Sequence, residues 1–201
     1  MPYRLEIALK PELFDAEGDG IRRKANHYFG IEIDRIRSIQ VITIDANLSK
    51  NQLKTIQTDI FTNPVTQFSS FDPLDIKFDW TIWLGFRPGV RDNPGSTAVE
   101  AVEDILSIKF KPGEAIYTSK RYCIEGKRLS IENITTIASE LLANDIIQQW
   151  KIFPAHEWDP SIGTGRRLPL SSGSPSSFLR HIRLFTSPWS SPNILIGVVR
   201  R

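Results

Sequence analysis

Apolar and polar residues alternate from the start of the chain, where Tyr3, Leu5, Ile7 and Leu9 interleave with Arg4, Glu6 and Ala8. A period of two puts the apolar set on one face and predicts a half-buried strand over Tyr3–Leu9. A Pro/Asp/Gly loop follows, and then a helix is expected over Gly18–Phe29. Strand-forming residues return at Ile36–Ile44. Ser49 is placed to cap a second helix running to about Ile60, and Val65–Phe68 forms a short closing strand. The same order then starts again. A strand is predicted over Asp79–Phe86. The helix Gly95–Leu106 carries Ala98, Val99, Val102, Ile105 and Leu106 at helical spacing. A strand follows over Ala115–Ile124, then a helix from Ser130 to about Leu142, and a strand over Ile146–Phe153.

The recurrence extends to individual residues. Lys10-Pro11-Glu12-Leu13-Phe14-Asp15-Ala16-Glu17-Gly18 returns as Arg87-Pro88-Gly89-Val90-Arg91-Asp92-Asn93-Pro94-Gly95, a basic-Pro-x-aliphatic-x-Asp-x-x-Gly pattern at a shift of 77. Ile60-Phe61-Thr62-Asn63-Pro64-Val65-Thr66-Gln67 returns as Leu141-Leu142-Ala143-Asn144-Asp145-Ile146-Ile147-Gln148 at a shift of 81. The drift implies four extra residues in the second copy, assigned to the stretch around Glu125–Arg128. Two blocks recurring in the same order define an internal duplication. The domains are assigned as a first repeat over 1–78, a second over 79–157, and a disordered tail over 158–201. The expected fold class is α+β, two tandem β-α-β-α-β repeats. One copy alone buries little core and leaves open sheet edges. The copies are therefore expected to pair about a pseudo-twofold axis, burying their open faces as a fused dimer would.

Composition sharpens this picture only at the C-terminus. The 40% hydrophobic and 24% charged fractions are those of an ordinary globular chain. Residues 160–201 hold six Arg, nine Ser and five Pro, with no Lys, Asp or Glu. That leaves nineteen basic against twenty-three acidic residues in 1–159. The sequence pI of 8.7 is thus set by a Ser/Pro/Arg-rich segment of a kind that resists compact structure, and is no argument for nucleic-acid binding. The single Cys123 fits a reducing compartment. No apolar run reaches a membrane span, and Met1-Pro2-Tyr3-Arg4 opens no signal peptide. A cytoplasmic protein is expected, with neither nucleic acid nor membrane as partner.

Cys123 falls within a strand and is read as a buried structural thiol, with Arg121 on the opposite strand face. His27, His156 and His181 are far apart and fit no metal-ligand spacing. Gly18-Asp19-Gly20 and Gly95-Ser96-Thr97 precede helices, but Asp15, Glu17 and Asp19 would repel an anion at the first, and a Ser or Thr at the second is a cap. Glu100 and Asp104 share a solvated helix face. Asn63 and Asn144 are read as left-handed residues at helix C-termini. No catalytic, cofactor-binding or metal-binding residue is assigned. Trp80 and Trp83 lie three apart in a strand and so take opposite faces, one toward the core and the other an exposed anchor. Trp83, Arg87, Arg91 and Arg121 form the candidate partner interface, since aromatics anchor interfaces and rim charges steer assembly. Lys120 adds to that basic character.

These residues resemble the PurS-type small subunit of phosphoribosylformylglycinamidine synthase, in duplicate, and more closely the N-terminal domain of the long single-chain form of that synthase. The resemblance rests on Gly85-Phe86-Arg87-Pro88-Gly89-Val90, on Asp92-Asn93-Pro94-Gly95-Ser96-Thr97-Ala98, and on Leu141-Leu142-Ala143-Asn144-Asp145-Ile146-Ile147-Gln148. It covers about residues 1–153. Asp145 stands where the family pattern has Pro; the first copy keeps that residue as Pro64 but lacks the Leu-Leu-Ala. The resemblance implies a non-catalytic module of purine biosynthesis that helps couple a glutaminase to an ATP-dependent synthetase. Its partners would be the synthetase and glutaminase chains. ATP, Mg and glutamine would be used by the complete synthase and none bound by this chain, which is expected to hold neither catalytic domain. The alternatives are a free-standing small-metabolite-binding module and a truncated gene product without independent function.

Overall fold

The alternating segment Tyr3–Leu9 forms strand β1 in the computed structural model, which describes residues 2–159. After β1 come α1 (Ala16–Phe29), β2 (Arg35–Asp45), α2 (Lys50–Ile56) and β3 (Gln67–Ser70). The order then repeats as β4 (Trp80–Phe86), α3 (Asn93–Leu106), β5 (Ala115–Glu125), α4 (Ile131–Thr136) and β6 (Gln148–Pro154). Both short helices run on into π-helical stretches, Gln57–Phe61 and Ile137–Leu142. The segment from residue 160 onward, including His181, lies outside the described residues. The tail assignment from 158 is corrected at its start, because Trp158 packs into the folded body.

The fold is α+β. Its six strands form one antiparallel sheet in the order β3-β1-β2-β5-β4-β6. β2 and β5 pair along their whole length, from Arg35↔Glu125 to Asp45↔Ala115. The halves therefore meet edge to edge, and the expected face-to-face burial does not occur. Edge pairing satisfies the backbone N–H and C=O groups that either half alone would leave open.

Helices cover one face of the sheet, and they cross over between halves. Ile21 and Ala25 of α1 pack with Ile134 of α4 over Ile82 and Leu84 of β4 and Ile124 of β5. Val102 of α3 packs with Leu53 and Ile56 of α2 over Leu5, Ile7, Ile42 and Ile44 of β1 and β2. Each first helix thus adds to the core built mainly by the other half. Burying each such aliphatic side chain contributes about 1.5–3 kcal/mol.

One capping device explains the repeated Asp-x-x-Gly. Asp15 accepts from Gly18 N (2.8 Å) and from Ser38 N on β2 (2.7 Å). Asp92 accepts from Gly95 N (2.8 Å) and from Thr118 N on β5 (2.5 Å). Each carboxylate caps a helix and ties it to a strand, so the helices begin at Ala16 and Asn93, two residues earlier than expected. Gly18 and Gly95 lie where the helix crosses that strand. A Cβ there would run into the backbone carbonyl of Ile36 or Ile116.

Only one of the four extra residues lies in the stretch the sequence assigned to them. The shift is already 80 between the starts of β2 and β5. Three of the four insertions therefore lie in the connection from α3 to β5, and one lies between β5 and Ser130. The readings of Asn63 and Asn144 are also corrected. The only non-glycine residue with positive φ among those described is Ser107. Asn63 Oδ1 instead accepts from Val65 N (2.9 Å) and Asn144 Oδ1 from Ile146 N (3.1 Å), turning the chain into each edge strand.

Candidate functional site

Period-two alternation puts Arg4, Glu6, Trp83, Arg121 and Cys123 on the sheet face opposite the helices. This face is not open. Leu74, Ile76 and Phe78 from the connection between halves, with Trp158 beyond β6, close over it against Trp83, Cys123 and Phe153. β1 is consequently buried on both sides, not one: Arg4 is 1% exposed and Glu6 is 0% exposed.

Glu6 is the hub of this layer. Its Oε2 accepts from Arg121 Nη2 (2.8 Å) and from Leu74 N (2.9 Å), and Arg4 Nε lies 3.3 Å from its Oε1. The Arg4 contact is an ion pair by distance, without hydrogen-bond alignment. Arg121 stacks over Trp158, 4.7 Å from the ring centroid, and Arg4 lies 5.8 Å from Trp83. Burial pulls the Arg4 guanidinium below its ordinary range, Glu6 and Asp159 oppose that shift, and Arg121 adds to it. The array is therefore structural: one carboxylate bridges guanidiniums from both halves and fixes the connection over the sheet.

Two of the candidate interface residues are corrected by this placement. Trp83 and Arg121 are each 1% exposed, and Trp83 Nε1 donates to Ser119 Oγ (2.9 Å). Neither presents a surface to a partner, because a second covering layer lies above their strands. Trp80 and Trp83 do take opposite faces, Trp80 toward the helices. Cys123 is buried, and burial pushes its thiol up to about 11. Arg121, two residues earlier, shares its face and does not oppose it.

Arg87 and Arg91 stand apart from that pair, exposed on the loop after β4. Arg87 N donates to Ile147 O (2.9 Å) and Arg87 Nε to Gln148 O (3.0 Å), which lays the loop against the turn entering β6. On that turn Ile146 is 79% exposed and Ile147 38%. The other end of the sheet is built the same way. Lys10 N donates to Thr66 O (3.0 Å), beside Val65, and Phe14 projects from the matching loop. Buried Arg37 secures that loop by donating to the carbonyls of Leu9, Lys10 and Leu13. Each end thus carries a basic-Pro loop beside an exposed aliphatic tip. Sequence reasoning missed the tips, although Val65 and Ile146 recur at the shift of 81 two residues after each repeated Asn.

Other features support less. Among the described residues, no group of three or more His, Cys, Asp or Glu is arranged to hold a metal, and no helix is long and apolar enough to cross a membrane. A polar cleft of about 270 Å³ is lined by Tyr3, Asp45, Ala46, Asn47, Gly113 and Glu114. Glu114 already accepts from Lys111 N (2.8 Å) and Asn47 N (3.1 Å), which hold its carboxyl below the usual range. Glu17 links the halves through Lys120 Nζ (2.6 Å) and Tyr122 Oη (2.8 Å). In comparisons with protein-family models and with curated proteins, nothing matches the chain.

Proposed function

We propose that the chain is a tandem duplication of one small α+β unit, folded as a covalent pair about a pseudo-twofold axis. It serves as a non-catalytic assembly module of the kind used by phosphoribosylformylglycinamidine synthase in purine biosynthesis, helping to couple a glutaminase to an ATP-dependent synthetase in the cytoplasm. ATP, Mg and glutamine are then handled by the partner chains. The observation that carries this reading is the recurrence of one device at equivalent places: Asp15 and Asp92 each cap a first helix and bind the central strand of their own half. The strand order supports it too, since it reads the same from either edge once β3, β1 and β2 are equated with β6, β4 and β5. The partner surface of this reading is the loop with Arg87 and Arg91 and the tip at Ile146 and Ile147.

The test is chromatography of the full chain with separately expressed synthetase and glutaminase chains, with and without ATP and glutamine. Co-elution with a gain of glutamine-dependent amidation is expected, and Arg87→Glu together with Ile146→Asp should abolish both. A folded chain that elutes alone in every condition overturns the reading.

A further inference from the structure

Helices α1 and α3 occupy equivalent places in the two halves, yet their outer flanks carry opposite charge. On α1, Arg23 and His27 form one exposed i,i+4 row, and Lys24 and Tyr28 form the next. On α3 the positions 77 residues later are Glu100 and Asp104 in one row and Ala101 and Ile105 in the next. Arg23 is 70% exposed and Tyr28 65%. Glu100 and Asp104 are exposed, and Ile105 is 54% exposed. Local counter-charges offset only part of this contrast. Asp19 is shared by Arg22 and Arg23, at 2.7 Å and 3.0 Å. Lys109 lies 2.5 Å from Glu103, beside Glu100 and Asp104. One flank remains basic around an aromatic residue, and the other remains acidic around an aliphatic one.

We infer that this chain associates with a second copy of itself, the basic flank of α1 in each copy seating on the acidic flank of α3 in the other. The flank that α1 fits, in charge and in its exposed apolar residue, is displayed by the chain itself, so every copy brings both halves of the contact. The arrangement is isologous, because the same pairing occurs twice about one twofold axis. Pairing α1 with α1, or α3 with α3, sets like charges against each other and is disfavoured. Ala101 opposite the Lys24 row leaves room for close approach, and Tyr28 and Ile105 supply the apolar anchors. This inference does not depend on the assembly role proposed above.

Sedimentation of the full chain tests it. A dimer is expected at low salt, weakening at about 1 M salt, where the screening length falls to about 3 Å. Arg23→Glu with Lys24→Glu, or Glu100→Lys with Asp104→Lys, should each raise Kd at least about tenfold. Mixing the two variant chains, one with two acidic flanks and the other with two basic flanks, should restore a heterodimer. Tyr28→Ser should weaken association without reversing charge. All these positions are exposed, so melts at concentrations where the wild type is monomeric should shift little, which separates lost association from lost folding. A monomer at every salt concentration, a dimer indifferent to both reversals, or failure of the mixture to associate overturns the inference.

Discussion

Arg121 Nη2 lies 2.8 Å from Glu6 Oε2 although β2 runs between the strands that carry them. The contact joins the first strand of one half to the second strand of the other, inside a layer sealed by Leu74, Phe78 and Trp158. A buried pair of this kind gains little over apolar packing, because desolvating the ions offsets most of their attraction. Breaking it is another matter, since a lone buried charge has no compensation.

Glu6→Ala is expected to destabilise the chain by about 3–5 kcal/mol, removing the carboxylate that pairs with Arg121 and lies beside Arg4. Replacing Arg4, Glu6 and Arg121 together with apolar residues of similar volume should cost much less. Urea unfolding midpoints of the two variants compare them directly. Equal losses would show that the array contributes only packing.

Gly95→Ala and Gly18→Ala should each cost at least about 2 kcal/mol, because the new methyl meets a strand carbonyl that cannot move without its neighbours. Gly20→Ala, in the same helix as Gly18 but with open space around it, should gain about 0.5–1 kcal/mol from lower backbone entropy in the unfolded chain. Thermal melts of the three single variants would show opposite signs.

Ser107 closes α3 with φ at 51°, where the equivalent residue after α1 is Gly30 at 64°. An L side chain is strained in this region, so Ser107→Gly should raise stability by about 0.5–1 kcal/mol. A lowered melting temperature would contradict this.

Cys123 retains its proton on folding, since burial raises its thiol from 9.0 to about 11. Its contribution is fully present below the unfolded value and is lost as pH rises from 9.0 to about 11. Over that interval the loss amounts to about 2–3 kcal/mol. Subtracting the pH profile of Cys123→Ala from that of the wild type isolates this thiol from lysines and tyrosines that titrate nearby. A flat difference profile would contradict the assignment. The native thiol should also resist a thiol-reactive dye at neutral pH and react after urea unfolding.

The elements were largely legible because each rests on local chemistry. Ser49 and Ser130 cap their helices as expected, each in a reciprocal capping box with Gln52 or Asn133. Alternation marked β1 and β4, and the Asp-x-x-Gly blocks marked where α1 and α3 begin. The candidate site was read less well. Arg87 and Arg91 lie on the surface as a partner contact requires, but Trp83 and Arg121 do not. Arg4 and Glu6 look like the wet side of a strand in one dimension, and nothing in Tyr3–Leu9 says that residues some seventy and more than a hundred and fifty positions away will cover them.

The sequence by itself determined the order of elements, their caps and the recurrence of one motif at two places, because hydrogen bonds and apolar periodicity within a few residues decide these. Tertiary structure alone decided that the halves join through β2 and β5, that α1 and α3 each add to the core of the other half, and that two guanidiniums converge on one buried carboxylate. Those outcomes depend on which distant surfaces remove each other from water, and burial of that kind is a property of the assembled layers and not of any stretch of chain.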